Sequence, residues 1–240
     1  RHRIRDTCSR RTVRLTEDIM IYLDNAATTQ KPSCVIQAES AFYEKYNANP
    51  FRGVYELAEF ATEHYEEARA AVAELLHANT DEIVFTRNAS ESLNLIAYSL
   101  GNLVLRPGDE VLVSIMEHHS NLLVWQQAAK RTGATLRYLD CTQDGKITAE
   151  MVEAAITDKT KIFAVTQISN VLGWKNDIKS FAEICHRKGC LIVADGGQSV
   201  THIEVDVKAP DVDFLAFCGH KMIGPMDIGA LYGKKELLVS

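Results

Sequence analysis

Four short stretches combine residue types that could do chemistry. In Arg87-Asn88-Ala89-Ser90-Glu91-Ser92, backbone N–H groups at a helix start and the Ser90 hydroxyl would make an anion pocket of the kind that holds phosphate. The same residues also read as an ordinary helix cap, with Ser90 and Glu91 as the start signal. In 115–121, the His118 imidazole could stack on a ring or transfer a proton. Alternatively, Ser120 or Asn121 caps the next helix and the His118–His119 pair is polar loop. Asp195 ends an apolar run before Gly196-Gly197-Gln198, and a buried carboxylate there is costly unless a cation or the glycine N–H groups satisfy it. A ligand nitrogen that must stay protonated would be such a cation; a β-turn opened by Asp is the structural alternative. Lys221 lies among glycines and apolar residues in 219–225, a setting in which an amine loses its proton more readily and can form a Schiff base. Its structural alternative is a surface lysine in a turn.

The elements that must position these groups alternate along the chain. Helical spacing covers 32–47, 55–77, 90–103, 121–132, 148–156 and 177–188, with Gly133 and Gly189 as stops. Apolar strands are predicted at 82–86, 110–114, 135–139, 161–165, 191–195, 213–218 and 228–232. Strands separated by helices of ten or more residues indicate an α/β fold with a mostly parallel sheet covered on both faces. Ligands of such sheets bind beyond the carboxyl ends of the strands, and that is where all four stretches fall. A phosphate pocket, a stacking imidazole, a buried carboxylate and an amine-bearing lysine together make the set of parts that pyridoxal phosphate requires. No GxGxxG accompanies any strand end, so the dinucleotide fingerprint is absent.

Composition narrows the function classes. The 240 residues carry a net charge of −6, yet residues 1–14 alone carry six Arg and one Asp. The acidic remainder makes a poor nucleic-acid binder, and no apolar run approaches the roughly 20 residues of a membrane span. Residues 1–20 are expected to form a disordered basic arm, whether a native tail, an expression remnant or a mis-assigned start; an organelle-targeting peptide is the other reading. Six scattered cysteines without a CxxC pair suggest free thiols in a reducing, cytoplasmic setting, and no zinc-like spacing suggests a metal.

The motifs YLDNAATTQKP (22–32), MEHHSN (116–121), ISNVLG (168–173), VADGGQS (193–199) and GHKMIGP (219–225) occur in the order found in one family. From about residue 21 onward the chain resembles the class V aminotransferase-like cysteine desulfurases, most closely the SufS-type group that includes selenocysteine lyase-like members. The resemblance implies fold type I of the pyridoxal-phosphate enzymes: a large domain, here 21–240, built on a mostly parallel seven-stranded sheet, followed by a smaller C-terminal domain. It implies that Lys221 holds the cofactor aldehyde and moves the substrate α-proton, with His118 stacked over the ring and active in acid–base steps. Asp195 would hold the pyridine nitrogen and Gln198 approach the phenolate oxygen. Ala89 through its backbone, Ser90, Cys218 and His220 would contact the phosphate. Asn170 would lie between cofactor and substrate, and Ala27 near the substrate.

Three departures accompany the resemblance. Cys218 stands where the family commonly has Ser, and Phe51 where SufS-type enzymes often have His before Arg-Gly. The family's nucleophilic cysteine and carboxylate-binding arginine fall beyond the GHK segment, outside these 240 residues, so the chain is expected to be the front part of a longer protein. The implied activity removes sulfur from L-cysteine, giving L-alanine and an enzyme persulfide for iron–sulfur cluster assembly. The implied partners are a second copy of the chain and a sulfur acceptor of the SufE/SufU kind. Selenocysteine lyase, another class V enzyme and a non-catalytic cofactor-binding or dimerisation module are the alternatives.

Overall fold

Strands that are apolar at successive positions, such as LIVAD and FLAFC, need two faces to bury, and the chain supplies helices for both. The computed structural model describes residues 21–239, so the expected basic arm, 1–20, lies outside the described residues. Helix α1 (Ser33–Ala41) widens into a π-helical turn (Phe42–Tyr46), where Tyr46 stacks on Phe60 at 4.3 Å. Next come α2 (Glu56–Leu76), β1 (Ile83–Thr86), α3 (Ala89–Val104), β2 (Glu110–Ser114), α4 (His119–Thr132) and β3 (Thr135–Leu139). The chain continues through α5 (Ala149–Ala155), β4 (Thr160–Thr166), α6 (Ile178–Arg187), β5 (Leu191–Asp195) and the single turn α7 (Ser199–His202). It then forms β6 (Phe214–Cys218), β7 (Gly229–Gly233) and a last turn, α8 (Lys235–Leu238). Among the described residues no helix is long and apolar enough to cross a membrane.

The seven strands form one sheet in the order β1-β7-β6-β5-β4-β2-β3. Strand β7 runs antiparallel to both neighbours, and the other pairings are parallel. Alternation along each strand splits the core into two layers. Val111, Val113, Ile162, Ala164 and Val193 pack with Trp125 and Leu93 of α4 and α3. Leu112, Phe163, Val165, Ile192 and Ala194 face the other way, onto Phe181 of α6 and Leu76 of α2.

Two helix starts differ from the sequence reading. Asn88, not Ser90, caps α3 by accepting from Glu91 N at 2.9 Å, which frees the Ser90 hydroxyl. His118 itself, rather than Ser120 or Asn121, caps α4: its Nδ1 accepts from Ser120 N at 3.2 Å. At the other ends, Gly133 (φ 76°) and Gly189 (φ 68°) take the left-handed conformation that ends a helix cheaply.

Candidate active site

The carboxyl ends of β1, β2, β4, β5 and β6 open onto one cavity of about 470 Å³. All ten residues singled out from the sequence line it. Ala89 and Ser90 enter from the start of α3, His118 from the turn after β2, and Asn170 from the loop after β4. Asp195 and Gln198 enter around the end of β5, Cys218 from the last position of β6, His220 and Lys221 just after it, and Ala27 from the segment that precedes α1.

Each position has a local cause. Asp195 is the last residue of β5 and is 8% exposed; its Oδ1 accepts from Gly197 N at 2.8 Å. Burial pushes its pKa up, against the Gly197 N–H and the nearby Lys221 and His118, which favour the charged form. Of the two sequence options for satisfying this carboxylate, the glycine N–H is the one that makes a hydrogen bond here. A Cβ on Gly197 would lie 3.0 Å from Asp195 Oδ1 and 3.9 Å from Lys221 Nζ, so the missing side chain keeps the floor between them clear. Lys221 closes a single 3-10 turn (Gly219–Lys221) directly after β6.

The end of the cavity that the sequence reading assigns to a phosphate is built from three directions. At the start of α3, Glu91 N is taken by the Asn88 side chain, which leaves the N–H groups of Ala89 and Ser90 without intrahelical acceptors. Gly229 of β7 lets that backbone come close, since a Cβ there would sit 2.6 Å from Asn88 Cα. Cys218 is buried, and burial pushes its thiol pKa up, so it stands as a neutral donor. His220 Nδ1 is buried without a hydrogen-bond partner among the described residues. Burial and the cations Lys221 and Lys31 push the His220 pKa down, leaving a neutral ring. A buried ring nitrogen beside a helix start and a thiol fits a phosphate ester, and the cavity of about 470 Å³ that Asp195 and Lys221 also line has room for the rest of pyridoxal phosphate.

Several contributors had not been singled out. Ser120 Oγ lies 2.6 Å from Ser90 Oγ and 3.0 Å from His118 Nδ1, joining the anion pocket to the imidazole. Asp24 and Thr166 also line the cavity. Glu117, next to His118, accepts from Thr166 N at 2.7 Å, from Asn121 Nδ2 at 2.7 Å and from Ser114 Oγ. Burial pushes its pKa up to about 8. One amide hydrogen of Gln198 is used on Ala26 O at 2.9 Å. Phe51 does not line the cavity; its ring meets Tyr65 edge-on at 5.4 Å.

The sequence model of the class-V aminotransferases matches residues 21–240. The chain belongs to that family. It is 51% identical over 220 residues to a probable cysteine desulfurase of Halalkalibacterium halodurans, covering 91% of this chain and 54% of the relative. It is 46% identical to a cysteine desulfurase of Haloferax volcanii, covering 91% and 52%. Among solved structures, the apo cysteine desulfurase of Thermococcus onnurineus superimposes with a TM-score of 0.86 at 42% identity, over 90% of this chain and 54% of that one. The cysteine desulfurase CsdA of Escherichia coli gives 0.83 at 40% identity, over 90% and 55%. The chain spans about half the length of the curated relatives it matches.

Proposed function

We propose that residues 21–240 are the cofactor-binding large domain of a pyridoxal-phosphate cysteine desulfurase of the SufS-type group. The observation that carries the reading is the convergence of Lys221, Asp195, His118 and the phosphate-end groups on one cavity at the strand ends. Relatives named as cysteine desulfurases at 46–51% identity point to the same activity. Bound pyridoxal phosphate supplies an electron-withdrawing ring that stabilises negative charge at the substrate α-carbon and weakens the adjacent C–S bond. Lys221 holds the aldehyde end and carries the α-proton. Asp195 keeps a proton on the ring nitrogen, because a neutral nitrogen would leave the buried carboxylate with the Gly197 N–H as its one hydrogen-bond donor among the described residues. With Nδ1 accepting from Ser120 N, the neutral His118 ring has its proton on Nε2. His118 covers the ring and serves in acid–base steps. Ala89, Ser90, Cys218 and His220 hold the phosphate, Gln198 approaches the phenolate oxygen, and Asn170 and Ala27 border the substrate.

In the whole protein the products are L-alanine and an enzyme persulfide, whose sulfur passes to an acceptor protein of the SufE/SufU kind for iron–sulfur cluster assembly in the cytoplasm. The enzyme works as a homodimer; exposed Leu23 and Val171, next to the cavity residues Asp24 and Asn170, support such a contact. The test is spectroscopic and chemical. Full protein loaded with cofactor should show the visible absorbance of the lysine-held aldehyde and release alanine from L-cysteine. Lys221→Ala should abolish both, and an unchanged spectrum in that variant would mean that another lysine holds the cofactor.

A further inference from the structure

We propose that the segment 22–31 is a strap that fixes the loop carrying Lys221, with Thr29 and Lys31 as positioning residues for that lysine. The role of Lys221 rests on the function proposed above; the strap itself stands on hydrogen bonds. Four donors converge on the carbonyl oxygen of His220, the residue immediately before Lys221. They are Lys31 Nζ at 2.7 Å, Thr29 N and Thr29 Oγ1 at 3.0 Å each, and Thr28 Oγ1 at 3.2 Å. A carbonyl has two lone pairs, so four donors hold it from more directions than one peptide group needs.

The other side of the lysine is held by the same residue. Ile223 N donates to Thr29 Oγ1 at 2.9 Å. Thr29 therefore bridges the peptide before Lys221 and the amide two residues after it. Ile223 has φ 62°, a left-handed conformation that a β-branched residue avoids, and its side chain is 50% exposed. Burial of the isoleucine does not explain that backbone, whereas a hydrogen bond to its amide does. The strap is anchored in turn: Tyr22 OH donates to Thr28 O at 2.8 Å, and Gln198 Nε2 to Ala26 O at 2.9 Å.

Lys31 adds charge to geometry. Its ammonium also donates to Thr29 O at 2.7 Å, so it ties the strap to itself and to the loop at one point. Its electrostatic reach includes Cys218 and His220, both at the phosphate end of the cavity. A fixed cation there favours a bound dianion while leaving the cavity floor to Lys221.

The experiment compares full-length wild type with Thr29→Val, Lys31→Met and Lys31→Arg. Hydrogen exchange is followed in the apoprotein at the amides of 222–224; cofactor loss on dilution, kcat and KM for L-cysteine are followed in the loaded enzyme. Thr29→Val removes both hydroxyl bonds without changing side-chain size and should speed exchange at Ile223 by about tenfold or more. It should also speed cofactor loss and lower kcat with little change in KM. Lys31→Met should move the same quantities less, and Lys31→Arg should restore them in part. Unchanged exchange at Ile223 in a folded Thr29→Val protein overturns the strap, as does a loss confined to KM. If Thr29→Val does not fold, Lys31→Met decides by the same criteria. A wild type that holds no cofactor would defeat the functional reading, while exchange in the apoprotein would still decide the strap.

Discussion

Replacing Glu117 by Gln should change how stability depends on pH. In the folded protein the carboxyl keeps its proton up to about pH 8; unfolded, it releases it above the ordinary value of 4.5. Between those limits the native state binds more protons than the unfolded one. The contribution is therefore fully present below about 4.5 and is lost as pH rises through 8. At 1.36 kcal/mol per pH unit, the interval amounts to roughly 3–5 kcal/mol. Gln is neutral throughout and removes that slope. It also adds a cost independent of pH, because its amide nitrogen would face Asn121 Nδ2, whose own oxygen is committed to Trp125 Nε1 at 3.0 Å. That conflict is worth about 1–2 kcal/mol. The variant should thus be the less stable protein near pH 5 and close the gap, or reverse it, near pH 8. Denaturant titrations of the apoprotein at several pH values, read by the fluorescence of buried Trp125, measure the difference. Asp195, whose pKa is also pushed up by burial, contributes a slope of the same sign to both proteins. Stability curves that stay parallel from pH 5 to 8 would refute the reasoning. Burial raises Glu117 most, and the nearby Asp195 carboxyl works in the same direction, so a proton held on Glu117 avoids placing two charges together behind the cavity.

Asp195→Asn should keep measurable cofactor but lose about a hundredfold or more in kcat, since an amide cannot hold the ring nitrogen protonated; near-normal turnover would sink the assignment. None of the described cysteines should carry a persulfide when the full protein turns over L-cysteine. Cys185 and Cys190 are 0% and 1% exposed, Cys34 and Cys141 do not line the cavity, and Cys218 sits at the proposed phosphate end with its thiol pKa pushed up by burial. An attacking sulfur must come within about 3–3.5 Å of its target. Likewise, the 240-residue chain supplied with pyridoxal phosphate should bind cofactor without forming persulfide. Peptide mapping after alkylation checks both statements, and a persulfide on any of these cysteines formed at a turnover rate would refute them.

The sheet was legible because its strands are apolar runs bounded by turn residues, a signal that survives without tertiary information. LIVAD and FLAFC lie within one residue of where the sequence places them. The single turns α7 and α8 were not legible, since four residues carry no period. The π-helical turn after Ala41 ends at Tyr46, whose ring meets Phe60 of α2, a contact between separate elements that no local pattern encodes. The direction of β7 is a similar case: IGALY reads as a strand whichever way it runs, and only its pairing with both β1 and β6 makes it the antiparallel member.

The candidate site divides along the same line. Residues at strand ends announce themselves because a buried strand that stops at Asp, or a glycine-flanked Lys, breaks an apolar pattern at a place where such sheets bind ligands. The supporting residues break nothing. Ser120 looks like a helix cap until its hydroxyl is found between Ser90 and His118, and Glu117 looks like a surface acid until Thr166 N and Asn121 close on it. Thr29 and Lys31 lie about 190 positions from the carbonyl they hold. Sequence therefore exposes the groups that would touch a ligand, which must be unusual where they stand. The groups that aim them can be ordinary residues, and only the closed fold shows what they hold.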